Sequence, residues 1–173
     1  MKALKHPLRF LVAVLILLFV LTALFLYMVP PSINQSVLLE AHGTVIRVDL
    51  AITSLEKTRG LSGRGGLGKN EGMLFLFDSL DRHAMWMKGM TFPIDILWIK
   101  NGKVADIEHS AEAEPGVPDE FLTRYSPDIS AELVLELPAG FAKRHEISIG
   151  DEVYLLSGTL PATHRALLKE KGE

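Results

Sequence analysis

The longest apolar stretch of the chain runs from Phe10 to Val29 without a charge, and at 1.5 Å per helical residue it is long enough to cross a hydrocarbon core about 30 Å thick. It predicts an N-terminal transmembrane helix. Beyond it the period changes. Pro30 to Ser36 reads as a stiff linker, because two prolines block a helix and Ser, Asn and Gln carry no core pattern. From Thr44 to Ala51, Ile46, Val48 and Leu50 alternate with Val45, Arg47 and Asp49, the period of a half-buried strand. Apolar runs at Gly72–Phe77, His83–Met87 and Pro93–Lys100 predict three more strands. Asn101-Gly102 then separates Ile94–Ile99 from Val104–Ile107, the pairing that a type I′ hairpin turn requires. Further strands are expected at Glu132–Leu137 and Glu152–Leu156, with short helices capped by Ser54 and opened by Pro138-Ala139-Gly140. His109–Glu120 mixes acids, alanines and prolines without periodicity and reads as a surface loop. The tail from Thr159 is polar and expected to fray.

These elements predict an α+β, mainly β domain over 37–158. Its compact antiparallel or mixed sheet is expected to be barrel-like, with two short helices too short to serve as crossovers. The transmembrane helix precedes it, and residues 159–173 follow as a tail.

Charge sets the orientation. Lys2, Lys5 and Arg9 precede the apolar run, so residues 1–9 are expected in the cytoplasm, 10–29 as a signal anchor, and the domain outside. A cleaved signal peptide would have a shorter apolar core and small residues at its end; Tyr27, Met28, Val29, Pro30 and Pro31 stand there instead. Localisation is thus expected at the cell membrane, single-pass, with an extracytoplasmic C-terminal domain. Without Lys2, Lys5 and Arg9, 15 of the 18 basic residues face 21 acidic ones, a formal charge of −6. That balance argues against nucleic acid as a partner. With no cysteine, the domain must hold together on its core alone.

Five ordered blocks stand out. They are Arg59-Gly60-Leu61-Ser62-Gly63-Arg64, Gly72-Met73-Leu74-Phe75-Leu76-Phe77, Met85-Trp86-Met87-Lys88 leading to Thr91-Phe92-Pro93-Ile94-Asp95-Ile96, Val134-Leu135-Glu136-Leu137-Pro138-Ala139-Gly140, and Gly150-Asp151. Together they resemble domain-of-unknown-function family 192. The resemblance implies a fold and an extracytoplasmic setting behind a signal or anchor, and brings no activity and no cofactor. The chain departs from the family pattern at Gly60-Leu61-Ser62 and at Lys88-Gly89-Met90-Thr91.

Three chemistries are weighed on the residues. The glycine-rich loop from Ser62 to Gly68 matches no phosphate-binding spacing and reads as a tight turn. Asp95 inside an apolar run needs a cation or several donors, and Arg59, Arg64 and Lys88 are the expected partners. A hydrolase centred on Asp95 is one alternative; the plainer reading is an ion pair pinning the strand to the glycine-rich loop. His83, Met85 and Met87 fall on one face of an extended strand, with Met73 and Met90 as neighbours, and suit Cu(I); the plainer reading is core filling beside Trp86. His42, His109, His145 and His164 lack ligand spacing and are expected at the surface. The preferred reading is a membrane-tethered binding or accessory module with its site around Arg64, Trp86, Lys88 and Asp95. Phe121 and Tyr125 in the loop from Ala111 to Pro127 would offer a surface for a protein, peptide or glycan.

Overall fold

The computed structural model describes residues 11–20 and 35–171, which fall in two units, one within Met1–Ile33 and one from Asn34 onward. Residues 11–20 are helical, with exposed side chains. Residue 10 and residues 21–29 of the expected span lie outside the described residues. Among the described residues no helix is long and apolar enough to cross a membrane.

The second unit holds strands β1 (Ser36–Ala41), β2 (Thr44–Ala51), β3 (Glu71–Asp81), β4 (Ile94–Lys100), β5 (Lys103–Ala111), β6 (Ala131–Pro138), β7 (Val153–Ser157) and β8 (Lys169–Glu170). Its two short helices are α1 (Ser54–Arg59) and α2 (Phe141–Arg144). The strands form one mixed sheet in the order β5-β4-β6-β3-β2-β1-β7-β8. The sheet curls until β5 touches the start of β7: Lys103 bridges Glu152, Val153 N–H donates to Gly102 O at 2.8 Å, and Val104 N–H donates to Asp151 O at 2.9 Å. The mainly β, barrel-like expectation therefore stands in the form of a curled half-barrel.

Local sequence explains most joints. Asn101 (φ 51°) and Gly102 (φ 72°) make the expected hairpin turn, and His42 (φ 46°) with Gly43 (φ 76°) makes a second one between β1 and β2. β1 was not among the expected strands. Thr53, not Ser54, caps α1: its side chain accepts from Glu56 N–H, and the Glu56 carboxylate accepts from Thr53 N–H at 2.8 Å, a reciprocal capping box. Contrary to expectation, one short helix does lie in a crossover, because β2 and β3 are parallel and α1 lies between them. β5 runs on through His109 to Ala111, where a loop was expected. His83–Met87 is extended but is no sheet strand; it makes a single bridge, Met85 to Tyr125.

Through residue 171 the tail is packed rather than frayed. Leu160 and Leu168 are buried in the main core, β8 pairs with β7, and Lys171 pairs with the buried Glu40. His164, expected at the surface, is 3% exposed; its Nε2 lies 3.1 Å from Phe77 O and its Nδ1 2.8 Å from Thr163 Oγ1.

Two hydrophobic layers sandwich the middle of the sheet. Leu74, Leu76, Leu97, Leu133, Leu135 and Leu137 point into the curl, whereas Met73, Phe75, Ile96, Trp98 and Val134 point outward into a smaller cluster. Gly72 permits the tight approach of β3 to β6, since a Cβ there would lie 2.5 Å from Glu136 O.

Asp95 on β4 is fully buried and meets no cation among the described residues. Its Oδ1 accepts from Ser110 N–H and Gly140 N–H and its Oδ2 from Ala142 N–H, each at 2.9 Å. The expected pairing with Arg59, Arg64 or Lys88 is therefore replaced by three backbone donors, which fix the end of β5 and the start of α2 to β4. Asp95→Ala leaves three backbone donors, that of Ala142 buried, without an acceptor and is expected to cost on the order of 4 kcal/mol, with Asp95→Asn intermediate. Urea denaturation of the three proteins checks this, and equal midpoints would refute it.

Candidate functional site

The outer apolar layer has to be covered, and a strap of residues 82–92 covers it. Trp98, 2% exposed, donates its indole N–H to His83 O at 2.8 Å, so the strap begins where a buried ring needs an acceptor. Backbone bonds in both directions between Met85 and Tyr125, at 2.8 and 2.9 Å, hold its middle. Gly63 N–H donates to Gly89 O at 3.1 Å and ties the strap to the glycine-rich loop after α1. Met85, Met87 and Met90 drop from the strap into the outer cluster.

Between strap, α1 and sheet remains a cavity of about 260 Å³. Arg59–Ser62 form one wall, Phe75 and Phe77 the sheet side, and Ala84–Trp86 with Lys88 the strap side; Glu136 also lines it. Four of the five sequence blocks singled out above thus contribute to one lining.

The cationic groups of the lining differ in their commitments. Lys57 Nζ donates to Leu76 O at 2.7 Å and lies 5.1 Å from the centre of the Phe77 ring. Lys88 pairs with Asp119 and lies 5.3 Å from the centre of the Trp86 ring. The Arg124 guanidinium stacks on the same ring at 3.7 Å. Arg59 and Arg124 are both exposed.

Glu136 is the residue that sequence reasoning passed over. It stands on β6 opposite Met73 of β3 and Ile96 of β4, on the side where Val134 also points. It is 4% exposed, and its Oε2 has no hydrogen-bond partner. Burial raises its pKa from 4.5 to about 8, with Arg64 pulling weakly the other way. At neutral pH the carboxyl is therefore mostly protonated and offers one O–H donor and a carbonyl acceptor. The signal was in the sequence: an acid within Val134–Leu137 carries the same desolvation problem that drew attention to Asp95.

Of the residues singled out from the sequence, Trp86 and Lys88 line the cavity. Arg64 is not in the lining and pairs with Asp49 at 2.8 Å. Asp95 is held elsewhere by its three N–H donors. His83 stacks on Phe77 with ring centres 3.7 Å apart, and its Nε2 lies 2.9 Å from Ser79 O. Its imidazole is thus engaged, while Met85 and Met87 are core residues. Tyr125 packs against the outer cluster, and Phe121 is 73% exposed.

The model of domain-of-unknown-function family 192, DUF192, described as Uncharacterized ACR, matches residues 37–155. No curated protein matches the chain. Two solved structures are similar. A protein of unknown function from Novosphingobium aromaticivorans DSM 12444 shares 33% identity over 72% of this chain and 88% of its own, with a TM-score of 0.64. A candidate transcription regulator from Sinorhizobium meliloti 1021 shares 28% identity over 70% of this chain and 92% of its own, with a TM-score of 0.62.

The Glu136 carboxyl also sets a pH dependence of stability. Its folded pKa lies above the unfolded value, so the folded state holds the extra proton between pH 4.5 and about 8. Stability falls as pH rises through that window and levels off above it, by at most about 5 kcal/mol for this group. Glu136→Gln removes this contribution. Chemical denaturation at pH 5.5 and 8.5 is expected to show a larger loss in the wild type than in Glu136→Gln, and parallel losses would refute the assignment.

Proposed function

The chain belongs to domain-of-unknown-function family 192, and from its geometry we propose that it is a membrane-tethered, extracytoplasmic module that binds a small ligand in the cavity under the strap. One observation carries this reading. Motif blocks far apart in sequence converge on a single cavity whose buried lining carboxyl keeps a hydrogen-bonding oxygen unused, and such a group costs stability unless a water, ion or ligand meets it. Convergent polar groups beside aromatic and aliphatic surface in one recess suit a small-molecule site. The fully bonded Asp95 gives the hydrolase reading no support, and the engaged His83 gives the Cu(I) reading none.

Tethering rests on the uncharged run over 10–29, the basic residues before it and the helical conformation of residues 11–20. The acidic domain supports a partner other than nucleic acid. The exposed Phe121 is the element available to a protein, peptide or glycan partner.

Two experiments test the proposal. Alkaline phosphatase fused after Gln35 is expected to be active and β-galactosidase at the same point inactive; the reverse pattern would place the domain inside. A thermal-shift panel of small anionic, neutral and cationic organic molecules on the detergent-solubilised full chain is expected to yield binders that raise Tm by several degrees at saturation. Ala84→Trp, which fills the cavity from its exposed edge, should abolish the shift. A panel without any binder, or shifts indifferent to Ala84→Trp, would overturn the site.

A further inference from the structure

The cavity lining is sorted by chemistry, and the sorting narrows what can occupy it. Lys57, Arg59, Lys88 and Arg124 are its cations, and its one acid, Glu136, lies deeply buried. Arg59 and Arg124 are exposed, whereas Lys57 and Lys88 are half-buried and already bonded to Leu76 O and Asp119. Leu61, Phe75, Phe77, Met85, Trp86 and Met90 supply aromatic, aliphatic and thioether surface. A free carboxylate pressed against Phe75, Met90 and the Glu136 carboxyl would be desolvated without a counter-charge, whereas a neutral hydroxyl would be matched.

Resting on the binding reading above, we infer that the ligand is a small organic acid with three parts: an anionic head held by Arg59 and Arg124, a flat apolar body, and a neutral hydroxyl that reaches Glu136. Guanidinium groups favour a carboxylate or phosphate head because their planar N–H forks match its oxygens. The body lies against Phe75, Phe77 and the edge of Trp86. A protonated Glu136 can both donate to and accept from the hydroxyl. A cavity of about 260 Å³ takes a single substituted ring.

Isothermal titration of the detergent-solubilised full chain with four probes tests this: 4-hydroxybenzoate, benzoate, 4-hydroxybenzyl alcohol and tyramine. At pH 6.5, 4-hydroxybenzoate is expected to bind about tenfold more tightly than benzoate and about tenfold more tightly than 4-hydroxybenzyl alcohol. In Glu136→Leu, which suits the apolar surroundings, the gap between 4-hydroxybenzoate and benzoate should close. In Arg59→Gln/Arg124→Gln the gap between 4-hydroxybenzoate and 4-hydroxybenzyl alcohol should close, with both residues exposed and the fold untouched. Tyramine or the neutral alcohol binding as well as the acid, with binding lost in Ala84→Trp, would overturn the ligand class and leave the binding module standing. Silence from all four probes would overturn the ligand class, while the binding module stands or falls with the thermal-shift panel.

Discussion

The burial of the central strands on both faces is the constraint from which the rest of the structure follows. β3, β4 and β6 carry the core of the curl on one side and a second apolar layer on the other, as near-continuous apolar runs such as Leu133–Leu137 and Ile94–Ile99 require. A sheet exposed on its outer face would leave Met73, Phe75, Ile96, Trp98 and Val134 in water, at about 25 cal/mol for each square ångström uncovered. The strap removes that cost. Its position follows from two groups that had to be bonded on burial, the Trp98 indole N–H and the Met85 backbone, whose partners are His83 O and Tyr125. The cavity is the space left where a strap of irregular backbone cannot follow the sheet closely.

Two acids sit inside apolar strands, and the fold treats them in opposite ways. Asp95 receives three N–H donors and becomes a structural post between β4, β5 and α2. Glu136 is left with an unpartnered oxygen among Met73 and Ile96 and keeps its proton instead. Sequence alone marks both as costly and cannot say which is solved, because the donors to Asp95 lie 15, 45 and 47 residues away. The expectation of a cation for Asp95 failed for the same reason. Backbone N–H groups are present at every residue and leave no compositional trace.

What was legible followed from local rules. The alternation of Ile46, Val48 and Leu50 fixed β2, and Asn101-Gly102 fixed the β4–β5 turn, since positive φ at two successive residues is a strong local demand. The His42-Gly43 turn obeys the same demand, but histidine advertises it less than asparagine does, and β1 went unseen with it. The tail escaped notice because Leu160, His164 and Leu168 are buried along a path of turns and one short 3-10 helix, which shows neither a strand nor an α-helical pattern. Of the site, Trp86 and Lys88 were legible through a block that resembles a family; their meeting with Arg59, Phe75 and Glu136 is tertiary.

Net charge and local charge point in different directions here, and the difference bears on what can reach the cavity. A domain with a formal charge of −6 repels large polyanions, whose many charges sample the whole surface. A small anion is governed by what lies within a screening length of about 8 Å. At the cavity mouth that neighbourhood is set by Arg59 and Arg124, with Lys88 already committed to Asp119. That neighbourhood is what the proposed small acid would meet, and the protonated state of Glu136 keeps the interior from cancelling the attraction. Were Glu136 ionised at neutral pH, it would offset one of those cations from within and meet an incoming anion with repulsion at close range. The burial that deprives this carboxyl of water is thus also what makes the cavity receptive to an anion.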